Sequence, residues 1–253
     1  MKTAFITGAT SGFGEAIAYQ LASENYRLIL NGRRTERLQE LKEKLEAMEQ
    51  TEVFLLPFDV RNRDEVKTHI ESLPEAWKTI DVLINNAGLA VGLQAIHEGD
   101  IDDWERMIDT NVKGLLYVTR AISPGMVMRK KGHIINIGSI AGKEVYPNGN
   151  VYCGTKHAVD ALNKAMRIDL VAHGIKVSAI HPGLAETEFS VVRFKGDEKR
   201  AKSVYEGYTP LFAEDIAELC SFILSRPEHV VINDLVVTPK AQANSTIRVN
   251  EST

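Results

Sequence analysis

Tyr152-Cys153-Gly154-Thr155-Lys156 stands thirteen residues after Ser139, and these three functional types suit hydride chemistry at a carbonyl or alcohol carbon. On a helix, residues four apart share a face, so Lys156 lies beside Tyr152 and its charge favours the phenolate. A free tyrosine, with a pKa of about 10, is a poor base at neutral pH. Bringing it to about 7 takes roughly 4 kcal/mol, which one partly desolvated ammonium and an oxidised nicotinamide could supply together. The pair reads as a tuned general acid/base. Ser139 would place a hydroxyl against the same substrate oxygen. Tyr-x-x-x-Lys is a short motif, and alone it describes an ordinary helix surface, so the elements around it decide its meaning.

Those elements are legible. His133-Ile134-Ile135-Asn136-Ile137-Gly138-Ser139 is short and apolar, as in a strand buried on both faces, which puts Ser139 at a strand's carboxyl end. Open parallel sheets bind ligands there. At the amino terminus, the apolar run Ala4-Phe5-Ile6-Thr7 leads into Gly8-Ala9-Thr10-Ser11-Gly12-Phe13-Gly14, and a helical pattern starts at Glu15. Strand, glycine turn and helix form the context of a dinucleotide fingerprint, here spaced Gly-x-x-x-Gly-x-Gly. Glycines let the backbone approach a pyrophosphate, and the helix amino terminus offers it free N–H groups.

The second strand, Arg27 to Asn31, is followed by Gly32-Arg33-Arg34. NAD-selective sites usually place an Asp or Glu here for the ribose 2′-hydroxyl. Two guanidinium groups instead suit a 2′-phosphate, so the sequence predicts NADP. The alternative is that both arginines merely open the solvated helix Thr35 to Leu41, although positive charge in a first helical turn opposes the dipole.

With these motifs together, the chain resembles the short-chain dehydrogenase/reductase family over nearly its whole length. The resemblance implies a single Rossmann-type α/β domain spanning 1–253, a doubly wound parallel sheet. It also implies roles for further motifs in their order along the chain. Asp59-Val60 would meet the adenine, and Asn86-Ala87-Gly88 would end the fourth strand beside the cofactor. Asn111 would hold a relay water against Lys156, and Pro182-Gly183-Leu184 with Thr187 would close over the nicotinamide. Lys156 would also hold the ribose, a mobile substrate lid would occupy about 187–210, and the chain would assemble as a homotetramer. Three longer strings, Asn31 to Leu41, Phe58 to Arg63 and Glu188 to Asp197, are similar to the family's NADP-dependent 3-hydroxy acid dehydrogenases, including those acting on serine and allo-threonine. A broad ketone or aldehyde reductase is the next reading, and a nucleotide-sensing protein without turnover a third.

Between Arg193 and Lys202 stand five basic residues against two acidic ones, in a chain whose formal net charge is -4. Arg193 is the candidate for a substrate carboxylate, because its fork matches one bidentately. The competing reading is a solvated charged face.

Composition agrees with one enzyme domain. At 253 residues and 44% hydrophobic, the chain can build one substantial core. The acidic balance argues against general nucleic-acid binding. No apolar run is long enough to span a membrane, and strand one begins too early for a signal peptide. Two cysteines, Cys153 and Cys220, cannot make a disulfide framework, so a cytoplasmic setting is expected. The seven histidines, His181 among them, show no metal-ligand spacing; structural roles and no metal site are expected. Strands are also expected at Ile175 to Ile180 and from Val230 through Val237, and one continuous helical face from Trp104 to Val118.

Overall fold

The computed structural model describes residues 1–47 and 51–251. Seven strands form one sheet in the order β3-β2-β1-β4-β5-β6-β7, every neighbouring pair parallel. They are β1 (Thr3–Ile6), β2 (Arg27–Gly32), β3 (Val53–Pro57), β4 (Val82–Asn85), β5 (Gly132–Ile137), β6 (Ile175–Pro182) and β7 (Asp234–Val237). Alternate strand residues point to opposite faces. Ala4 and Ile6 therefore join one apolar cluster while Phe5 between them joins the other, and Val82, Ile84 and Leu83 divide the same way. Both faces are dry, as parallel sheets require.

Helices α1 (Gly12–Ser23), α2 (Thr35–Glu46) and α9 (Ala213–Leu224) cover one face through Ile17, Leu21, Leu38 and Ile216. Helices α3 (Arg63–Glu71), α5 (Leu115–Arg129) and α6 (Asn150–Leu170) cover the other through Val66, Val118, Ile122 and Val159. Each such fully buried side chain contributes about 1.5–3 kcal/mol. α4 (Ile101–Ile108) precedes α5, and α7 (Phe189–Arg193) and α8 (Glu198–Ser203) lie in the segment after β6.

Two elements depart from the sequence expectation. The helical face from Trp104 to Val118 is continuous, but Asp109–Gly114 is π-helical and separates α4 from α5. Its extra residue per turn turns Asn111 inward, a common use of π-bulges at functional sites. Val230 to Ile232 is not strand: only Asp234–Val237 pairs with β6. The Val230 N–H bonds the Pro227 carbonyl in a turn, and the Lys176 ammonium takes both the Pro227 and Val230 carbonyls. The apolar run there closes a turn instead of a ladder.

Strand order reverses between β1 and β4, and their carboxyl ends open a crevice where open α/β sheets bind ligands. The two loops touch: a Cβ on Gly8 would lie 3.0 Å from the Ala87 Cα.

Candidate active site

Gly8 has φ +66° and Gly12 φ +55°, left-handed values that let the turn fold back over the end of β1. Gly14 is excluded from substitution by space: a Cβ would sit 2.4 Å from the Gly8 carbonyl oxygen and 2.5 Å from Asn86 Nδ2. Thr7 stitches the two loops together, its hydroxyl accepting from the Asn86 and Ala87 N–H groups, while Asn86 Nδ2 donates to the Thr7 and Gly8 carbonyls. Ser11 precedes α1 but makes no side-chain cap. The α1 amino terminus thus keeps its free donors and its positive dipole end, an anion site by construction. The cradle fits a dinucleotide pyrophosphate.

The two arginines after β2 have separate partners. Arg34 Nε and Nη2 bond Thr10, Nη2 also bonds Ser11 Oγ at 2.8 Å, and Nη1 bonds Glu188 Oε2 at 2.9 Å. Arg37 grips the other Glu188 oxygen. Arg34 thereby ties the glycine turn to the segment after β6. Arg33 lines the same cavity with one long ion pair, 3.8 Å to Asp59, and keeps its fork available. Burial works to raise the Asp59 carboxyl, but hydrogen bonds from Arg61 hold it below the ordinary value. Val60 is buried against Gly114, which has no room for a Cβ.

One cavity of about 520 Å³ runs from these groups to Ser139, Tyr152 and Lys156. Its lining includes Gly8, Arg33, Asp59, Asn86, Ser139, Tyr152, Lys156, Thr187 and Arg193. Val60 also lines it, whereas Ala9, Gly14 and Asn111, also expected at the site, do not. Pro182 ends β6, and Gly183 and Leu184 follow in the cavity wall. Buried Gln242, from the carboxyl-terminal segment, accepts from the Leu184 N–H at 2.8 Å and leaves Gly183 no space for a side chain. Thr187 packs on Gly12. Nothing in the sequence near Gln242 marks it for this task.

Tyr152 and Lys156 project from the first turns of α6, and Ser139 follows β5 by two residues. The Ser139 hydroxyl accepts from the Ala141 N–H at 3.1 Å and reaches the Tyr152 phenol. The Lys156 ammonium donates to the Ile137 carbonyl at 2.9 Å. Burial raises the Tyr152 phenol well above its usual range, opposed by the Ser139 hydrogen bond and the Arg193 charge. Burial also pulls the Lys156 ammonium down to about 8. Sequence spacing predicts direct phenolate stabilisation by Lys156. The fold instead commits that ammonium to a carbonyl, and protein groups alone leave the phenol protonated.

Asn111 is also committed. Its amide clasps Leu89, accepting from the N–H and donating to the C=O at 2.8 Å each, and it donates to Thr155 Oγ1 at 3.0 Å. Its Oδ1 and the Lys156 Nζ flank Gly88, at 3.3 and 3.5 Å from where a Cβ would be. Asn111 thus locks the loop after β4 onto α6 and sits beside Lys156.

Of the basic cluster, Arg193 alone lines the cavity. Its Nη2 donates to the Tyr146 Oη at 2.9 Å, its guanidinium lies 5.8 Å from the Tyr152 ring, and its buried Nε has no partner among the described residues. Lys195 turns outward to Asp100 and Asp103, Arg200 stacks on Phe194, and Lys199 and Lys202 are exposed. Tyr146, also in the cavity wall, is a site residue that no sequence motif marked.

Both cysteines are free and buried. Among the described residues no helix is long and apolar enough to cross a membrane. Asp160, His181 and Asp234 converge behind Ser139, although their sequence spacing suggests no cluster. The Lys143 ammonium lies between the two carboxylates, 2.6 Å from Asp160 and 2.5 Å from Asp234, and fills the cation position.

Known proteins share this fold. The NADP-dependent 3-hydroxy acid dehydrogenase YdfG of Salmonella typhi is 48% identical over 248 residues, 98% of each chain. The NADP-dependent 3-hydroxy acid dehydrogenase of Schizosaccharomyces pombe is 44% identical, covering 96% of this chain and 95% of the relative. A solved closed form of serine dehydrogenase complexed with NADP+ superposes with a TM-score of 0.92 at 45% identity, covering 99% of this chain and all of the other. The short chain dehydrogenase profile matches residues 2–198, and the chain belongs to that family.

Proposed function

We propose that this protein is an NADP-dependent oxidoreductase moving hydride between the nicotinamide and the hydroxyl-bearing carbon of a small 3-hydroxy acid, of the serine and allo-threonine type. The observation that carries the reading is Arg193 beside Tyr152, a half-buried cation at the reacting end of the cavity whose buried Nε has no partner among the described residues. Its fork suits a carboxylate. Relatives named for NADP and 3-hydroxy acids support the same choice.

Gly8 to Gly14 and the α1 amino terminus hold the pyrophosphate, Asp59 and Val60 border the adenine end, and Arg33 takes the 2′-phosphate. Asn86 to Gly88, Lys156, Pro182 to Leu184 and Thr187 enclose the ribose and nicotinamide. NADP bound there supplies the hydride acceptor and, when oxidised, a positive ring. Ser139 donates to the substrate oxygen and Tyr152 Oη exchanges the proton with it. The protonated Tyr152 is already the acid that reduction needs. Oxidation needs the phenolate, favoured by positive charge placed in the pocket.

A homotetramer is proposed from family membership, supported by exposed Ile108, Leu116, Ile168 and Val171 on α4, α5 and α6 and the turn after α6; light scattering tests it. A cytoplasmic setting is supported by the two free thiols. Steady-state turnover of NADP with 3-hydroxy acids and uncharged alcohols of equal size, in wild type and Arg193→Ala, tests the function. KM for the acids should rise at least tenfold in the variant, with the alcohols little changed. Equal effects on both classes would refute the carboxylate role.

A further inference from the structure

His181, the penultimate residue of β6, is fully buried, and its ring packs against the backbone that carries Ser139. The contact is tight: a Cβ on Gly138 would lie 2.4 Å from His181 Nδ1. The same Nδ1 is 3.2 Å from the Ser139 carbonyl oxygen. A carbonyl only accepts, so a favourable contact requires the proton on Nδ1. The neighbouring bond comes from the same strand, since the Gly138 N–H donates to the Ile180 carbonyl at 2.7 Å. β6 therefore holds the chain just after β5 at two successive points.

The far edge of the ring meets charge from three other elements. Nε2 lies 2.7 Å from Asp234 Oδ1 at the start of β7 and 3.7 Å from Asp160 Oδ1 on α6. The Asp234 contact is out of line for a hydrogen bond. Lys143, just after the Ser139 turn, joins the two carboxylates, and Lys164 pairs with the second Asp160 oxygen. Asp160 is two helical turns beyond Tyr152 and one beyond Lys156 on the same face of α6. The network thus binds together the Ser139 turn, the helix carrying the acid/base pair, and the last strand.

From this arrangement we infer that His181 is a positioning residue for the reaction: its Nδ1–H donates to the Ser139 carbonyl and so fixes where the Ser139 hydroxyl meets the substrate oxygen. An aliphatic side chain could fill the same volume without desolvating a polar ring. What it would lack is the donor. Burial lowers the His181 pKa, against the Asp234 charge, which keeps a neutral ring at physiological pH. The neutral ring then has one proton to place, and of its two nitrogens only Nδ1 has an aligned acceptor among the described residues, the Ser139 carbonyl. The Ser139 peptide is held from two sides, by this donor and by the Gly142 N–H at 2.8 Å. Losing one lets the turn relax, and small misplacements of a reacting group cost up to about 10²-fold in rate.

The inference rests on the role proposed for Ser139, and the experiment separates the two. The Asn amide nitrogen falls near Nδ1 of a histidine, and the Gln amide nitrogen near Nε2. His181→Gln should lower kcat at least tenfold with KM for NADP within twofold, and His181→Asn should restore kcat to within about threefold of wild type. In a Ser139→Ala background, His181→Gln should cost less than twofold further, because residues acting as one unit are not additive. The reverse order, Gln active and Asn impaired, overturns the inference, as does a full further loss in the Ser139→Ala background. A Ser139→Ala enzyme that keeps most of its activity would instead refute the Ser139 role. Nitrogen NMR of the wild-type protein needs no variant to fold: protonated Nδ1 is the expected state, and an Nε2–H tautomer with bare Nδ1 overturns the inference.

Discussion

Replacing Arg33 and Arg34 one at a time should affect cofactor binding in different ways, although the two are adjacent in sequence. Arg33 has a half-exposed side chain in the cavity whose only ion pair among the described residues spans 3.8 Å. Its fork therefore reaches a 2′-phosphate without giving up a strong bond. Hydrogen bonds to charged groups contribute about 1.5–3 kcal/mol each. Arg33→Ala should then weaken NADP by roughly 10- to 100-fold and NAD by less than about threefold, since NAD has no phosphate to lose. Arg34 is committed to Thr10, Ser11 and Glu188. Its bonds to neutral groups contribute about 0.5–1.5 kcal/mol each. The exposed pair with Glu188 adds at most about 1 kcal/mol. Removing Arg34 loosens the glycine turn itself, so both cofactors should weaken alike, roughly tenfold, with a lower Tm. Calorimetric titration of each variant with NADP and NAD measures all four values. Equal weakening of both cofactors in Arg33→Ala, or an NADP-selective loss confined to Arg34→Ala, would refute this division of labour.

Tyr152→Phe should preserve cofactor affinity and lose about 10²–10⁴-fold in kcat, because a positioned proton donor is removed without changing the ring; stopped-time product assays showing more than about a tenth of wild-type rate would reject it. Gly14→Ala forces a methyl to within 2.4 Å of a backbone carbonyl, so both cofactors should lose binding and Tm should fall by several degrees, read by titration and calorimetry. Burial depresses the His133 pKa to about 4. The unfolded chain therefore takes the proton first, and stability present above about pH 6.5 is lost as pH falls towards 4, roughly 2 kcal/mol of it by pH 5. Urea unfolding at pH 7 and 5 should show a smaller loss in His133→Gln than in wild type, and parallel losses would exclude His133 as a source.

The fold and the convergence of Ser139, Tyr152 and Lys156 on one cavity were legible in the sequence because their signals are local. Short apolar runs ending in Thr7, Asn86 and Ser139 each mark a strand's carboxyl end, and parallel strands gather those ends into one crevice whatever the helices between them contain. A four-residue spacing puts Tyr152 and Lys156 on one helix face by geometry alone. What each group does once gathered was decided by partners far away in the chain. Arg34 is claimed by Glu188, 154 residues on, whereas Arg33 makes only a long contact with Asp59 among the described residues. Lys156 is claimed by the Ile137 carbonyl, Leu184 by Gln242, and the His181 ring by Ser139 on one side and Asp234 on the other. No periodicity encodes these pairings, since they arise only when strands and helices pack. Burial, likewise a property of the packed molecule, raises the Tyr152 phenol and lowers the Lys156 ammonium, because desolvation penalises whichever form carries charge.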